Sequence, residues 1–330
     1  MLVASTGGHL AQLHQLRPLL GCDDDVVWVT FDTPQSRSLL AGERVEHVRS
    51  VAPRDWRNLA RVSAHSRSLL LRYDIDRVIS TGSAVALAFL PTARLMGIRA
   101  EYIESAARST GPSVTGRLLQ HVPGVHLSAQ YDAWAVGRWA RTVSVFDAFS
   151  PVIDLTRQQP VRRVVVTLGM IPGYGFVRLL ERMQAILPPD VEVLWQAGSS
   201  AAPGLEQVAR TTLPQAEMQR AMEEADVVVA HAGAGSALAA LTAGRVPVLV
   251  PRRAAFGEHV DDHQQLIARD LSGRGLAVWS EADELSWGDV VRAASSRVVT
   301  SAALRVDLAH PLSSSGWVEN QASVLRRPCS

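Results

Sequence analysis

Three loops hold the residues best suited to chemistry, and each follows an expected strand. The richest starts from Asp226-Val-Val-Val-Ala230, turns through His231-Ala-Gly-Ala-Gly-Ser236 and continues in small residues to Gly244. A buried strand feeding such a turn into a helix brings backbone N–H groups and the positive helix end onto one point, which suits the oxygens of a diphosphate. Small residues at a helix start equally allow close packing of helix on sheet, so the turn alone has two readings. Its neighbour favours the first. Val246-Pro-Val-Leu-Val-Pro251 leads into Phe256-Gly-Glu-His-Val-Asp-Asp-His-Gln-Gln265, whose carboxylates and amides can hydrogen-bond sugar hydroxyls. His259 and His263 stand at the i, i+4 spacing that can clamp zinc. No HExxH order accompanies them, and Asp261-Asp262 falls at an expected helix start, where acids are favoured without a metal. No metal site is expected.

The second loop is Ser5-Thr-Gly-Gly-His9, ahead of a helical run Leu10–Leu20. The glycine pair lets a ligand approach the backbone, and His9 in the first helical turn can act as a general base or can simply pack against the loop. The helix dipole favours its neutral form. The third loop carries Glu104-Ser-Ala-Ala-Arg108. Glu104 can orient a base, bind a hydroxyl or be the base, or it can pair with Arg108 at i+4. GxGxxG is absent, so the dinucleotide fingerprint is not met.

These loops need a scaffold that repeats strand, loop and helix, and the chain provides one. Strands are expected at Leu2–Ala4, 26–30, 45–48, 78–80, Arg99–Ile103 and 124–127, with helices over 59–72 and 83–96. The rhythm restarts after Pro151, with strands at Arg163–Thr167, 191–196, 227–230, 247–250 and 277–279 and helices near 174–186, 216–223, 235–243 and 259–271. A length of 330 residues suits two domains. The expected division is 1–150, a polar linker 151–160, a second domain 161–309 and a poorly ordered tail 310–330. The class is α/β, two doubly wound domains facing a cleft, with ligands at the carboxyl ends of the strands.

Bulk composition excludes several functions. Thirty-three basic against thirty-two acidic residues leave a charge of +1, too balanced for a nucleic-acid binder. Arg162-Arg163 and Arg252-Arg253 read as solvated loop charges. Cys22 and Cys329 are far apart, which fits a reducing cytoplasm. No apolar run approaches the roughly 18 to 20 residues of a membrane span, and no signal peptide precedes Ser5.

In combination the motifs resemble the GT-B glycosyltransferases related to MurG and to the paired Alg13/Alg14 type, of glycosyltransferase family 28 kind. Ser5-Thr-Gly-Gly-His9, Ile79-Ser-Thr-Gly82 and Tyr102-Ile-Glu-Ser-Ala-Ala-Arg108 resemble the Alg14-like acceptor half. His231-Ala-Gly-Ala-Gly-Ser236, Pro247-Val-Leu-Val-Pro-Arg252 and His259-Val-Asp-Asp-His-Gln264 resemble the Alg13-like donor half, here on the same chain. The resemblance implies an inverting, metal-independent single displacement from a UDP-sugar of GlcNAc or uronic-acid type, with no cofactor beyond that co-substrate. The acceptor would be a hydroxyl of a lipid-linked glycan or small molecule.

Carried over by position, His9 is the first candidate base and Glu104 its rival, with Gly7, Gly8, Thr81 and Gly82 in the acceptor-side loops. Gly233, Ala234, Gly235 and Ser236 would meet the diphosphate, and His231, Gly198, Arg252, Asp262, His263 and Gln264 the nucleotide or sugar. Leu168-Gly-Met170 lies near the phosphate side, with Met170 where a polar residue is usual. Trp56, Trp134 and Trp139 are candidates for a surface meeting a lipid acceptor, which would place the protein in the cytoplasm or peripherally at the inner membrane face. A UDP-sugar 2-epimerase and a nucleotide-sugar-binding subunit of a larger transferase are the alternative functions.

Overall fold

The computed structural model describes residues 1–22, 25–51, 56–153, 160–169, 173–201, 203–260 and 262–300. The first half runs β1 (Leu2–Ala4), α1 (Gly8–Leu16), β2 (Val27–Thr30), α2 (Pro34–Leu39), β3 (Arg44–His47), α3 (Trp56–Arg72), β4 (Arg77–Gly82), α4 (Ala84–Leu95), β5 (Arg99–Ile103), α5 (Val114–Leu119), β6 (Val125–Ala129) and β7 (Trp139–Arg141). The second runs β8 (Phe149–Ile153), β9 (Arg163–Thr167), α6 (Val177–Ile186), β10 (Glu192–Gln196), α7 (Gln215–Glu224), β11 (Val227–His231), α8 (Ala234–Thr242), β12 (Val248–Val250), α9 (His263–Gly273), β13 (Val278–Trp279), α10 (Trp287–Ala294) and β14 (Ser296–Thr300).

Two wholly parallel sheets result, in the orders β3-β2-β1-β4-β5-β6-β7 and β10-β9-β11-β12-β13. Helices cover both faces of such sheets, which is why their central strands are near-continuous apolar runs. The period of two is nevertheless visible in where the side chains go. Leu2 and Ala4 of β1, with Val228 and Ala230 of β11, belong to one apolar cluster. Val3 turns to a cluster confined to the first domain, and Val227 and Val229 to one confined to the second. The first cluster is therefore common to both domains, and it includes Leu10, Leu13 and Leu16 of α1 with Leu238 and Leu241 of α8.

Strand order reverses between β1 and β4 in one sheet and between β9 and β11 in the other. Loops at such a reversal diverge to opposite faces and leave a crevice where ligands bind. Ser5–His9 and the end of β4 flank the first reversal, and the segments after Thr167 and His231 flank the second.

Some boundaries differ from those expected. Residues 149–153, overlapping the start of the expected linker, form β8 and pair antiparallel with β14. The run Leu10–Leu20 splits, because Pro18 ends the α-helical ladder and residues 17–20 continue as a 3-10 turn. The helix expected over 259–271 begins only at His263, with Asp262 as its N-cap. The rest of the linker (154–159), Met170, Asp261, Cys329 and the tail 310–330 lie outside the described residues. No helix among the described residues is long and apolar enough to cross a membrane.

Candidate active site

The first-domain site is built where α1 starts beside the end of β4. His9 Nδ1 lies 2.8 Å from the Thr81 carbonyl, so Nδ1–H donates there and Nε2 keeps its lone pair. Thr81 Oγ1 returns a bond to the His9 carbonyl at 2.8 Å, fixing helix start to strand end. Gly82, at φ 126°, makes room for the ring, because a Cβ there would lie 2.9 Å from His9 Cε1 and 3.2 Å from the Tyr102 hydroxyl. Ser83 follows at φ 70°, ψ 173°, a region that costs a non-glycine residue about 1–3 kcal/mol. Burial holds the His9 pKa below its usual value, against smaller upward pulls from the Thr81 bond and Glu104. Burial thus favours the neutral imidazole.

Gly7 and Gly8 leave open space, with nothing within 4 Å of a Cβ on either. Gly7, at φ 88°, is clamped by Gln35, which accepts from Gly7 N at 2.5 Å and donates to Gly7 O at 3.2 Å.

Glu104 is turned into the protein. It is 0% exposed and accepts from the Tyr102 hydroxyl (3.1 Å), Ser105 N (3.1 Å) and Ser113 N (2.8 Å). Three donors on one buried carboxylate make it the organiser of its loop. The residues after it do not form a helix, so the i+4 pairing does not arise, and Arg108 Nε points to Gly111 O at 3.3 Å. Gln12, unnoticed in the sequence, ties this loop to α1: its Oε1 accepts from Ala106 N at 2.9 Å and its Nε2 donates to Ser105 Oγ at 3.0 Å. Gln130 completes the tie by donating to the Glu104 carbonyl at 2.9 Å.

The second-domain site follows the same plan. Gly233 is the N-cap of α8, and no side chain caps that helix. Ala234 packs inward at 4% exposure, Ser236 is half-buried, and a Cβ on the exposed Gly235 would meet nothing within 4 Å. The His231 ring fills the space beside Gly233, and a Cβ on Gly169 would come within 3.1 Å of its Nε2 and 2.9 Å of Arg252 Nη1. Arg252 is therefore not the solvated charge expected of a basic pair: it is 0% exposed, with Nη2 donating to Gly169 O at 3.2 Å. Gly198, at φ 63°, backs directly onto the Gly169 carbonyl, a contact that any side chain would prevent.

Gln264 Oε1 accepts from Arg252 N at 3.0 Å and Asp262 Oδ1 from Ala254 N at 2.9 Å, so both brace the loop after β12. His263 packs edge-on to His259 with centroids 4.8 Å apart, although only His263 is helical. Its carbonyl accepts from Ser109 Oγ at 3.4 Å, which joins the Glu104 loop to the start of α9 across the domains. Glu258 is held bidentately by Arg178 at 2.8 and 3.1 Å. Among the described residues no group of three or more His, Cys, Asp or Glu side chains could hold a metal ion. Trp139 is buried against Trp134, centroids 5.1 Å apart, and so offers no lipid-facing surface. The Trp56 side chain lies outside the described residues.

Burial first, then the Arg252 charge, pushes the His231 pKa down to about 3. Between that value and the ordinary 6.5 the unfolded chain binds a proton that the folded protein refuses, so stability falls as pH drops through this window. At pH 5 the loss is on the order of 2 kcal/mol. Thermal melts should show a midpoint dropping below pH 6.5 and a flatter profile in His231→Asn. An identical slope in the variant would remove His231 from this account.

Residues 175–286 match the glycosyltransferase family 28 C-terminal domain. The chain is 29% identical over 243 residues to a UDP-N-acetylglucosamine–N-acetylmuramyl-(pentapeptide) pyrophosphoryl-undecaprenol N-acetylglucosamine transferase of Nitratidesulfovibrio vulgaris (strain DP4). That match takes in 69% of this chain and 65% of the relative, so the chain spans just under two thirds of its length. The transferase of the same description from Ralstonia nicotianae is 33% identical over 141 residues, 39% of this chain and 38% of that one. Among solved structures, MurG of Acinetobacter baumannii superposes with a TM-score of 0.52 at 20% identity, over 88% of both chains. The glycosyltransferase of kitacinnamycin gives 0.52 at 17% identity, over 89% of this chain and 90% of that one. A UDP-N-acetylglucosamine 2-epimerase-like protein of Listeria monocytogenes gives 0.51 at 10%, over 82% and 86%. The fold is GT-B.

Proposed function

We propose that this chain, a GT-B protein of the MurG-like family 28 group, transfers a sugar from a UDP-sugar to a hydroxyl acceptor by a single inverting displacement that uses no metal ion. The observation that carries the reading is a pair of helices, α1 and α8. Each starts uncapped at its own sheet's reversal of strand order, and both bury their bodies in one core.

In the proposed step the acceptor O–H gives its proton to His9 Nε2 while its oxygen bonds to the anomeric carbon. The bond from that carbon to the donor phosphate oxygen breaks, and UDP leaves. Its charge develops against the N–H groups at Ala234–Ser236, which are preorganised by the helix. Glu104 acts on the acceptor loop by position and not by proton transfer. The relatives' name supports N-acetylglucosamine as the sugar and a polyprenyl-pyrophosphate-linked saccharide as the acceptor.

Turnover of UDP-N-acetylglucosamine by purified protein with such an acceptor, run with and without EDTA, tests both parts. Acceptor-dependent product at an undiminished rate in EDTA is expected. A rate lost on chelation and restored by magnesium would overturn the metal-free step. Epimerised donor formed without acceptor would replace transfer by 2-epimerisation.

A further inference from the structure

Gln12 is 3% exposed on a helix whose other buried residues are Leu10, Leu13 and Leu16 of the apolar core. A buried amide in such company is costly unless its atoms are bonded, and here the bonds go to one short segment. Residues 104–106 are neither helix nor strand, yet every backbone N–H and C=O of the three is paired. Glu104 N donates to Ser128 O at 2.8 Å, Ser105 N to the Glu104 carboxylate at 3.1 Å and Ala106 N to Gln12 at 2.9 Å. The carbonyls accept from Gln130 at 2.9 Å, Arg108 N at 2.8 Å and the Tyr131 hydroxyl at 2.6 Å. Ser128, Gln130 and Tyr131 refer the segment to β6 and the residues just after it. Gln12 alone of these partners sits on α1, three residues after His9.

Residues three apart lie on one side of a helix. His9 is bonded at the end of β4, and Gln12 to the segment that follows β5, the neighbouring strand. One turn of α1 therefore fixes the imidazole and the loop 104–113 to each other. Further along that loop Ser109 reaches the His263 carbonyl, so the loop is registered against the base at one point and against the second domain at another. We propose that Gln12 is a positioning residue for the transfer: through Ala106 and Ser105 it holds the acceptor-side loop at a set distance from His9, so that the acceptor hydroxyl arrives within reach of Nε2. A methionine would fill the same apolar space, and what glutamine adds is this register. Misplacement by about 1 Å in such a register costs about 100-fold in rate. The proposal rests on the reading of His9 as the base.

The test compares the full chain with Gln12→Met and Gln12→Glu, using UDP-N-acetylglucosamine and a polyprenyl-pyrophosphate-linked saccharide as substrates. Gln12→Met should lower kcat by about 10- to 100-fold with acceptor KM and UDP affinity little changed, and should speed amide hydrogen exchange at Ala106. A glutamic acid in its neutral form presents the same acceptor and donor as the amide, and burial favours that form. Gln12→Glu should therefore keep a rate near that of the parent at low pH and lose it, relative to the parent at the same pH, as the new carboxyl ionises. This variant carries the test even if the methionine variant does not fold. Faster exchange at Ala106 with unchanged kcat would make Gln12 a structural tie and overturn the proposal, and so would a raised acceptor KM at unchanged kcat. Gln12→Glu no better than Gln12→Met at every pH would overturn it too. Absence of turnover in the parent, or full turnover in His9→Ala, would end the base reading and the proposal with it, and neither of those results involves a Gln12 variant.

Discussion

His9→Ala is expected to lower turnover by about 100-fold or more while leaving nucleotide affinity nearly unchanged. A general base needs a free lone pair, a neutral resting state and a fixed direction. The bond from Nδ1–H to the Thr81 carbonyl supplies the first and third, and burial supplies the second. Because the His9 pKa is lowered, the rate should hold as pH falls past 6.5 and decline only below it, as His9⁺ forms. Steady-state kinetics across pH with UDP binding measured by calorimetry separate the outcomes. Full turnover in His9→Ala would remove the histidine from the mechanism. Glu104, 0% exposed and holding three donors, would need to break its own loop to replace it.

The scaffold was legible wherever burial is two-sided. Leu2–Ala4, Val164–Val166 and Val227–Val229 are dense apolar runs because helices cover both faces of their sheets. The elements that escaped carry no such local signal. Strand β7 exposes Ala140 and Arg141, and β8 and β14 pair antiparallel across almost half the chain, a match that no window of sequence can display. The site divides in the same way. His9, Gly82 and the glycine turn announce themselves by residue type and position after a strand. Gln12 does not, although a glutamine in the apolar stripe of Leu10, Leu13 and Leu16 was an available hint that something polar faced it. Arg252 was misread as a solvated charge because adjacent arginines usually are, and its burial depends on the loop after β9, some eighty residues earlier in the chain.

The glycine turn has two readings, packing and phosphate, and its residues differ in which of them they leave room for. Ala234 packs, at 4% exposure in the shared core, whereas Gly235 is exposed with open space where a side chain would go. A Cβ at 235 therefore meets no packed neighbour, and removing glycine from a helix gains up to about 1 kcal/mol. Gly235→Leu should melt at or above the temperature of the parent. The same side chain would fill the space in front of the helix N–H groups. Loss of two hydrogen bonds to a charged phosphate, at about 1.5–3 kcal/mol each, corresponds to more than about 100-fold in affinity. Calorimetry should find UDP affinity reduced by that factor or beyond detection, with uridine affinity much less affected. Undiminished UDP binding by a folded Gly235→Leu would mean that the small residues of this turn serve packing alone, and that the phosphates lie elsewhere in the cleft.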